Sequence, residues 1–110
     1  MSMKPLPQPD IDQIDLPMIL GALADGTRLA IIGQLADDEE SPMTCGQFLN
    51  LGAKTSLTYH IAKLREAGLV TVTPSGTKRL ICLRRAELDS RFPGILDSII
   101  ANARQPELEA

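Results

Sequence analysis

From Lys54 to Ala67 the apolar residues Leu57, Ile61 and Leu64 recur at spacings of four and three. On a helical wheel Ile61 lies about 40° to one side of Leu57 and Leu64 about 20° to the other, so the three form one buried stripe. Thr55, Tyr59, Ala62 and Glu66 fall on the opposite side, with Ser56 and Lys63 beside them; Thr58 and His60 flank the stripe. Gly68 ends this helix. The period then changes from helical to alternating over Leu69–Thr73, breaks at the turn residues Pro74-Ser75-Gly76-Thr77, and resumes as a strand at Leu80–Leu83. Upstream, Thr44 is an N-cap for a short helix over Cys45–Asn50, and Gly52 is its stop.

The remaining pattern is helical. A first helix is predicted over Ile14–Leu23, with Asp15 as an acidic cap and Pro17 tolerated in its first turn. After Asp25-Gly26 a second runs over Thr27–Leu35, with Leu29, Ile32 and Leu35 on one face. Asp37–Pro42 is a polar loop, Glu87–Asp89 a short helical turn, and Pro93 opens a last helix through Ala103. Residues 1–10, rich in proline, are expected to be a flexible arm, and residues 105–110 a frayed tail. The predicted fold is therefore mainly α with a small β-hairpin, a single domain over residues 11–104 in the order α-α-α-α-β-β-α. Two helices joined by a tight Gly-containing turn and followed at once by a hairpin make a winged helix-turn-helix.

Composition changes this picture little, and charge changes it more. The 110 residues suit one core, and aromatics at 3% leave it to aliphatic side chains. No run approaches the ~20 apolar residues of a membrane span, and the N-terminus has no signal-peptide pattern, so a cytoplasmic protein is expected. Cys45 and Cys82 are too few for a disulfide framework. The net charge of −3 argues against a nucleic-acid partner until it is divided along the chain. Met1–Gly52 carries −6 and Phe92–Ala110 carries −2, whereas Ala53–Arg91 carries +5, with eight basic residues against three acidic ones. A basic block between two acidic ones is the asymmetry of a DNA reader, although a merely solvated charged surface gives the same count.

The chemistry of the periodic helix points the same way. Lys54, Thr55, Ser56, Thr58 and Tyr59 lie at its N-terminal end, where recognition helices meet base edges, and Lys63 supplies charge one turn later. Hydroxyls bond bases or phosphates, and Tyr reaches a phosphate or a thymine methyl. His60, the only histidine, is read equally as a phosphate contact or a packing residue. Lys78 and Arg79 are placed at or near the hairpin tip, where cations enter a minor groove or clamp the backbone, or protect a strand edge.

At this point the residues carry a resemblance. Ala22-Leu23-Ala24-Asp25-Gly26-Thr27-Arg28-Leu29 is similar to the "ALADPTRL" opening of the ArsR family of small bacterial repressors, with Gly where Pro is usual. Lys54 to Val70, ending in Leu-Arg-Glu-Ala-Gly-Leu-Val, resembles that family's recognition helix and wing start, so the likeness covers about Leu20 to Leu83. The resemblance implies a homodimeric repressor on double-stranded DNA with a pseudo-palindromic operator, paired through the first and last helices. Independently, Phe92, Ile95, Leu96, Ile99 and Ile100 form a wide apolar stripe, and Ile19 and Leu23 belong to a mostly apolar first helix. A small monomer has little core to bury both, and a dimer would set two recognition helices ~34 Å apart.

The family's metal sites are not matched, because the short helix has one cysteine and the last helix has no His or Cys. No cofactor or metal is expected, since a thiolate site needs about three or four ligands. One His, no phosphate loop and no nucleophile elbow leave no basis for an enzyme. Two alternatives stand beside the DNA-binding regulator: a winged-helix module whose basic face binds an acidic protein, and a thiol- or metal-switched repressor on the same scaffold.

Overall fold

A computed structural model describes residues 7–37 and 43–103, the side chain of Cys45 aside. Of the loop expected at 37–42, Asp37 instead closes a helix and residues 38–42 lie outside the described residues, as does the tail expected at 105–110. A 3-10 turn, Ile11–Gln13, precedes α1 (Leu16–Leu23) and α2 (Gly26–Asp37). Strand β1 (Met43–Thr44) leads into a 3-10 helix, Cys45–Leu51, and then α3 (Lys54–Glu66). The hairpin β2 (Val70–Ser75) and β3 (Lys78–Leu83) is followed by α4 (Arg85–Arg91) and α5 (Ile95–Ala103). This is a winged helix-turn-helix, with the two-residue connection Gly52-Ala53 between the 3-10 helix and α3. Among the described residues no single helix is long and apolar enough to cross a membrane.

The caps explain where the helices begin. Asp15 accepts from the Met18 N–H at 2.9 Å and Asp25 from the Arg28 N–H at 3.0 Å, each holding an otherwise unpaired first-turn donor. Because Asp15 is the cap, α1 starts at Leu16, and Ile14 is released to fill the core at 1% exposure. Helix α3 ends in a Schellman motif: the Gly68 N–H donates to the Arg65 carbonyl and the Leu69 N–H to the Leu64 carbonyl, both at 3.0 Å. Gly68 adopts φ 89°, and a Cβ there would lie 2.4 Å from Ile14 Cγ1.

The hairpin is longer than its turn residues predict. Gly76 and Thr77 alone form the turn, Ser75 faces Lys78, and Pro74 sits within β2 opposite Arg79. The proline is tolerated because β2 is an edge strand in the order β1-β3-β2. Beyond the expected hairpin, β1 adds a third antiparallel strand, with Met43 opposite Ile81 and Thr44 opposite Leu80.

The N-terminal segment departs from the flexible arm expected over residues 1–10, as far as it is described. The Gln8 amide donates to the Val72 carbonyl and accepts from the Val72 N–H, so it completes the free edge of β2. Arg65, Arg84 and Arg91 donate to the carbonyls of Pro7, Pro9 and Ile11.

The core runs through every layer, from Ile19 and Leu23 of α1 to Ile31, Ile32 and Leu35 of α2. It continues through Phe48, Leu57 and Leu64, the strand residues Val70, Val72 and Ile81, and Leu88, Leu96 and Ile100. Helix α5 packs on α2, with Ala103 beside the buried Gly33.

Candidate nucleic-acid interface

Packing Leu57, Ile61 and Leu64 into the core turns the other side of α3 outward. Lys54, Thr55, Ser56, Thr58, Tyr59 and Lys63 are all exposed, Tyr59 to 56%. The Lys63 ammonium lies 5.4 Å from the centre of the Tyr59 ring, so each steadies the other at the surface. Thr58 donates its hydroxyl to the Lys54 carbonyl at 3.0 Å, which leaves its oxygen as an acceptor.

His60 is the exception among the residues read as DNA contacts. Its side chain is 13% exposed, and its Nδ1 lies 3.0 Å from Arg28 Nη1 and 3.9 Å from Asp25 Oδ1. The ring faces the α1–α2 corner rather than the open face of the helix, with the Tyr59 ring edge-on to it at 5.4 Å.

The wing cations separate by the alternation of β3. Arg79 shares a sheet face with Pro74 and the buried Ile81, the face that packs on α3, whereas Lys78 projects from the other. Both lie next to the tip: Lys78 flanks the two-residue turn Gly76-Thr77 and Arg79 follows it. Lys78 and Arg79 border an open groove of about 480 Å³ with Lys54, Thr58, Thr44 and Leu49. A second open groove, of about 380 Å³, flanks α3 on the α1 side, lined by Arg28, Tyr59, Lys63 and Glu66. Cations thus stand on both flanks of the recognition helix, at spots where phosphates beside a major groove would pass.

Arg28 is the residue that reading by segments missed. It belongs to the acidic first half of the chain and reaches the interface only because the start of α2 abuts α3. Its guanidinium donates to the Ala22 carbonyl and approaches His60. The sole sequence signal was its place three residues after the cap Asp25.

The basic block also divides. Arg84 is buried, donates to Glu87 at 2.7 Å, and holds Glu87's carboxyl below its usual range. Arg85 pairs with Asp89 and Asp97, Arg65 with Glu66, and Arg91 with the Ile11 carbonyl. Among the described residues Lys54, Lys63, Lys78 and Arg79 form no ion pair. Four of the eight basic residues hold the protomer together, and the four left unpaired surround α3 and the wing.

The residues expected to make a dimer are mostly spent within the protomer. Ile19, Leu23, Leu96 and Ile100 are core residues at 1%, 6%, 2% and 7% exposure, and Phe92, Ile95 and Ile99 are half-buried. The single chain buries only part of each apolar stripe, α5 packing on α2. The apolar surface left on α1 belongs to Met18 and Leu20, 46% and 51% exposed. Among the described residues no three His, Cys, Asp or Glu side chains gather as a metal site.

A family model for a helix-turn-helix domain, HTH_20, matches residues 23–73, the span from the end of α1 through the recognition helix into the wing. The chain is also similar to YceK of Bacillus subtilis (strain 168), described as an uncharacterized HTH-type transcriptional regulator. The two are 35% identical over 83 residues, which cover 74% of this chain and 82% of that one. The outward polar face of α3, the wing beside it and this likeness lead to one conclusion: the chain belongs to the helix-turn-helix family of DNA-binding transcriptional regulators.

Proposed function

We propose that the protein is an ArsR-like homodimeric repressor that reads a pseudo-palindromic operator and is released by a signal. The observation that carries the reading is the pairing of an exposed, hydroxyl-rich recognition face with unpaired cations on both of its flanks. Thr55, Ser56 and Tyr59 read base edges; Lys54, Lys63, Lys78, Arg79 and Arg28 hold phosphates. Dimerisation uses the apolar surface that the protomer leaves uncovered on its first and last helices, Leu20 and Met18 of α1 and the half-buried Ile95 and Ile99 of α5. No metal takes part in release. Cys82, half-buried on the sheet face that bears Lys78, leaves a thiol switch as the variant of this reading to be tested by Cys82→Ser.

The test is a gel shift with the DNA upstream of the protein's own gene, at two salt concentrations and against non-specific competitor. Binding that survives competitor and weakens steeply with salt is expected. If Tyr59→Ala, Lys63→Ala and Arg79→Ala combined leave affinity unchanged, the interface is wrongly placed. Binding lost entirely to competitor favours a module whose basic face docks on an acidic protein.

A further inference from the structure

Every hydrogen-bonding group of a guanidinium is a donor, so the contact between Arg28 Nη1 and His60 Nδ1 at 3.0 Å fixes the state of the imidazole. Nδ1 must be the acceptor, which makes the ring neutral with its proton on Nε2. We propose that His60 is a positioning residue for DNA recognition: as a neutral acceptor it latches α3 to the α1–α2 corner through Arg28, and its protonation releases the latch.

The latch is built from three anchored parts. Asp25 caps α2 through the Arg28 N–H, and Arg28 donates from Nε to the carbonyl of Ala22 in α1. His60 extends from the middle of α3, next to Tyr59 on the exposed face. One arginine therefore ties the end of α1, the start of α2 and the recognition helix, and it also borders the groove shared with Tyr59 and Lys63. The hydrogen bond from the Arg28 N–H and the charge of its guanidinium lower the pKa of Asp25 against the effect of burial, which keeps an anion at the corner.

Protonating Nδ1 would place a second cation 3.0 Å from the guanidinium and remove the acceptor. Asp25 Oδ1, 3.9 Å from the same nitrogen, is the waiting partner for the imidazolium. The ring then turns from Arg28 toward Asp25, and Arg28 loses its hold on α3. The charged and titratable groups around His60 are Asp25 and Arg28 at the corner and Tyr59 on its own helix, with Lys63 and Glu66 further along the same groove. The chain has one histidine, so an imidazole signal belongs to His60 alone.

The proposal rests on the DNA-binding reading for its consequence, but its central measurement needs no DNA. Nitrogen-15 NMR of the folded full chain at about pH 7.5 should show the Nε2–H tautomer, with Nδ1 in the shift range of an unprotonated acceptor. In Arg28→Ala that preference should relax toward a mixture. An Nδ1–H tautomer in the wild type, or no change in Arg28→Ala, overturns the latch whatever the DNA does. With the duplex from upstream of the gene, wild-type affinity should fall several-fold from about pH 7.5 to about 5.5. His60→Ala should bind weakly at both, and His60→Gln, which keeps an acceptor and does not titrate, should recover affinity and give a flat profile. A wild-type profile that is flat or rises toward acid removes the role in recognition, while a correct tautomer in a protein that binds no such duplex refutes the operator and spares the latch geometry.

Discussion

Helices α3 and α5 carry comparable apolar stripes, yet their sequence patterns led to readings of different quality. In α3 the stripe Leu57, Ile61 and Leu64 enters the core and the residues proposed to meet DNA are those left outside. In α5 the stripe itself was taken as the functional surface, and Leu96 and Ile100 turn out to be core while Phe92, Ile95 and Ile99 stay half-buried. Polar side chains that a helix projects outward stay outward under any packing, because burying them unpaired costs energy. An apolar stripe says only that it will be covered; whether by its own chain or by a partner depends on what else the chain brings to it.

That contrast can be broken or sharpened by substitution. The largest effect is expected at the joint between α3 and the wing. Gly68→Ala places a β-carbon against Ile14 at a positive φ, which should cost roughly 2–5 kcal/mol from backbone strain and overpacking together. Urea unfolding measures it, and a loss under about 1 kcal/mol would mean that the joint is looser than its geometry. Leu96→Ala should cost about 2–5 kcal/mol by removing a core side chain. That loss should be the same at low and high protein concentration, since a residue of a subunit interface would give a concentration-dependent midpoint.

On the α3 side, Lys63→Ala and Arg79→Ala should leave the melting temperature nearly unchanged. Each should weaken binding to every duplex and reduce the salt slope by about 1. Ser56→Ala and Tyr59→Phe should instead change which duplex is preferred, so equal losses on all duplexes would reassign those two to phosphate contact. Met18→Glu with Leu20→Glu tests the proposed dimer surface. Folding stability should shift by no more than about 0.5 kcal/mol, as at other exposed positions, while sedimentation shows loss of dimer. A dimer that survives both charges pairs elsewhere.

The smallest effect concerns acid stability. The bond from Arg84 holds Glu87's carboxyl below its ordinary value. Its contribution is therefore fully present above the usual glutamate range and is lost as pH falls below about 4 toward the depressed folded value. The side chain is 48% exposed, so solvent screening limits this to under about 1 kcal/mol. Glu87→Gln should flatten that part of the stability–pH curve, and an unaltered curve would assign the acid limb to other carboxylates.

The order of helices, the turn before α3, its buried stripe and its exposed hydroxyl and lysine residues were all legible, because helical period and caps are local. The strand limits were less so: turn residues at Pro74 and Ser75 mask strands that an edge position permits. Strand β1 was invisible, being two residues whose only reason to be extended is a partner far along the chain. Charge by segment pointed to α3 and the wing for a partly mistaken reason. It counted Arg65, Arg84, Arg85 and Arg91, which bind the protomer's own carboxylates and carbonyls, and it omitted Arg28.

By itself, then, the sequence determined the winged helix-turn-helix and the identity of the face that α3 shows to solvent, since period and polarity act within a few residues. Only the tertiary structure decided which cations stay free, that the apolar stripe of α5 closes in part on its own chain, and that His60 turns to Arg28 instead of outward. Those outcomes depend on distances between segments remote in the chain, and no local pattern encodes them.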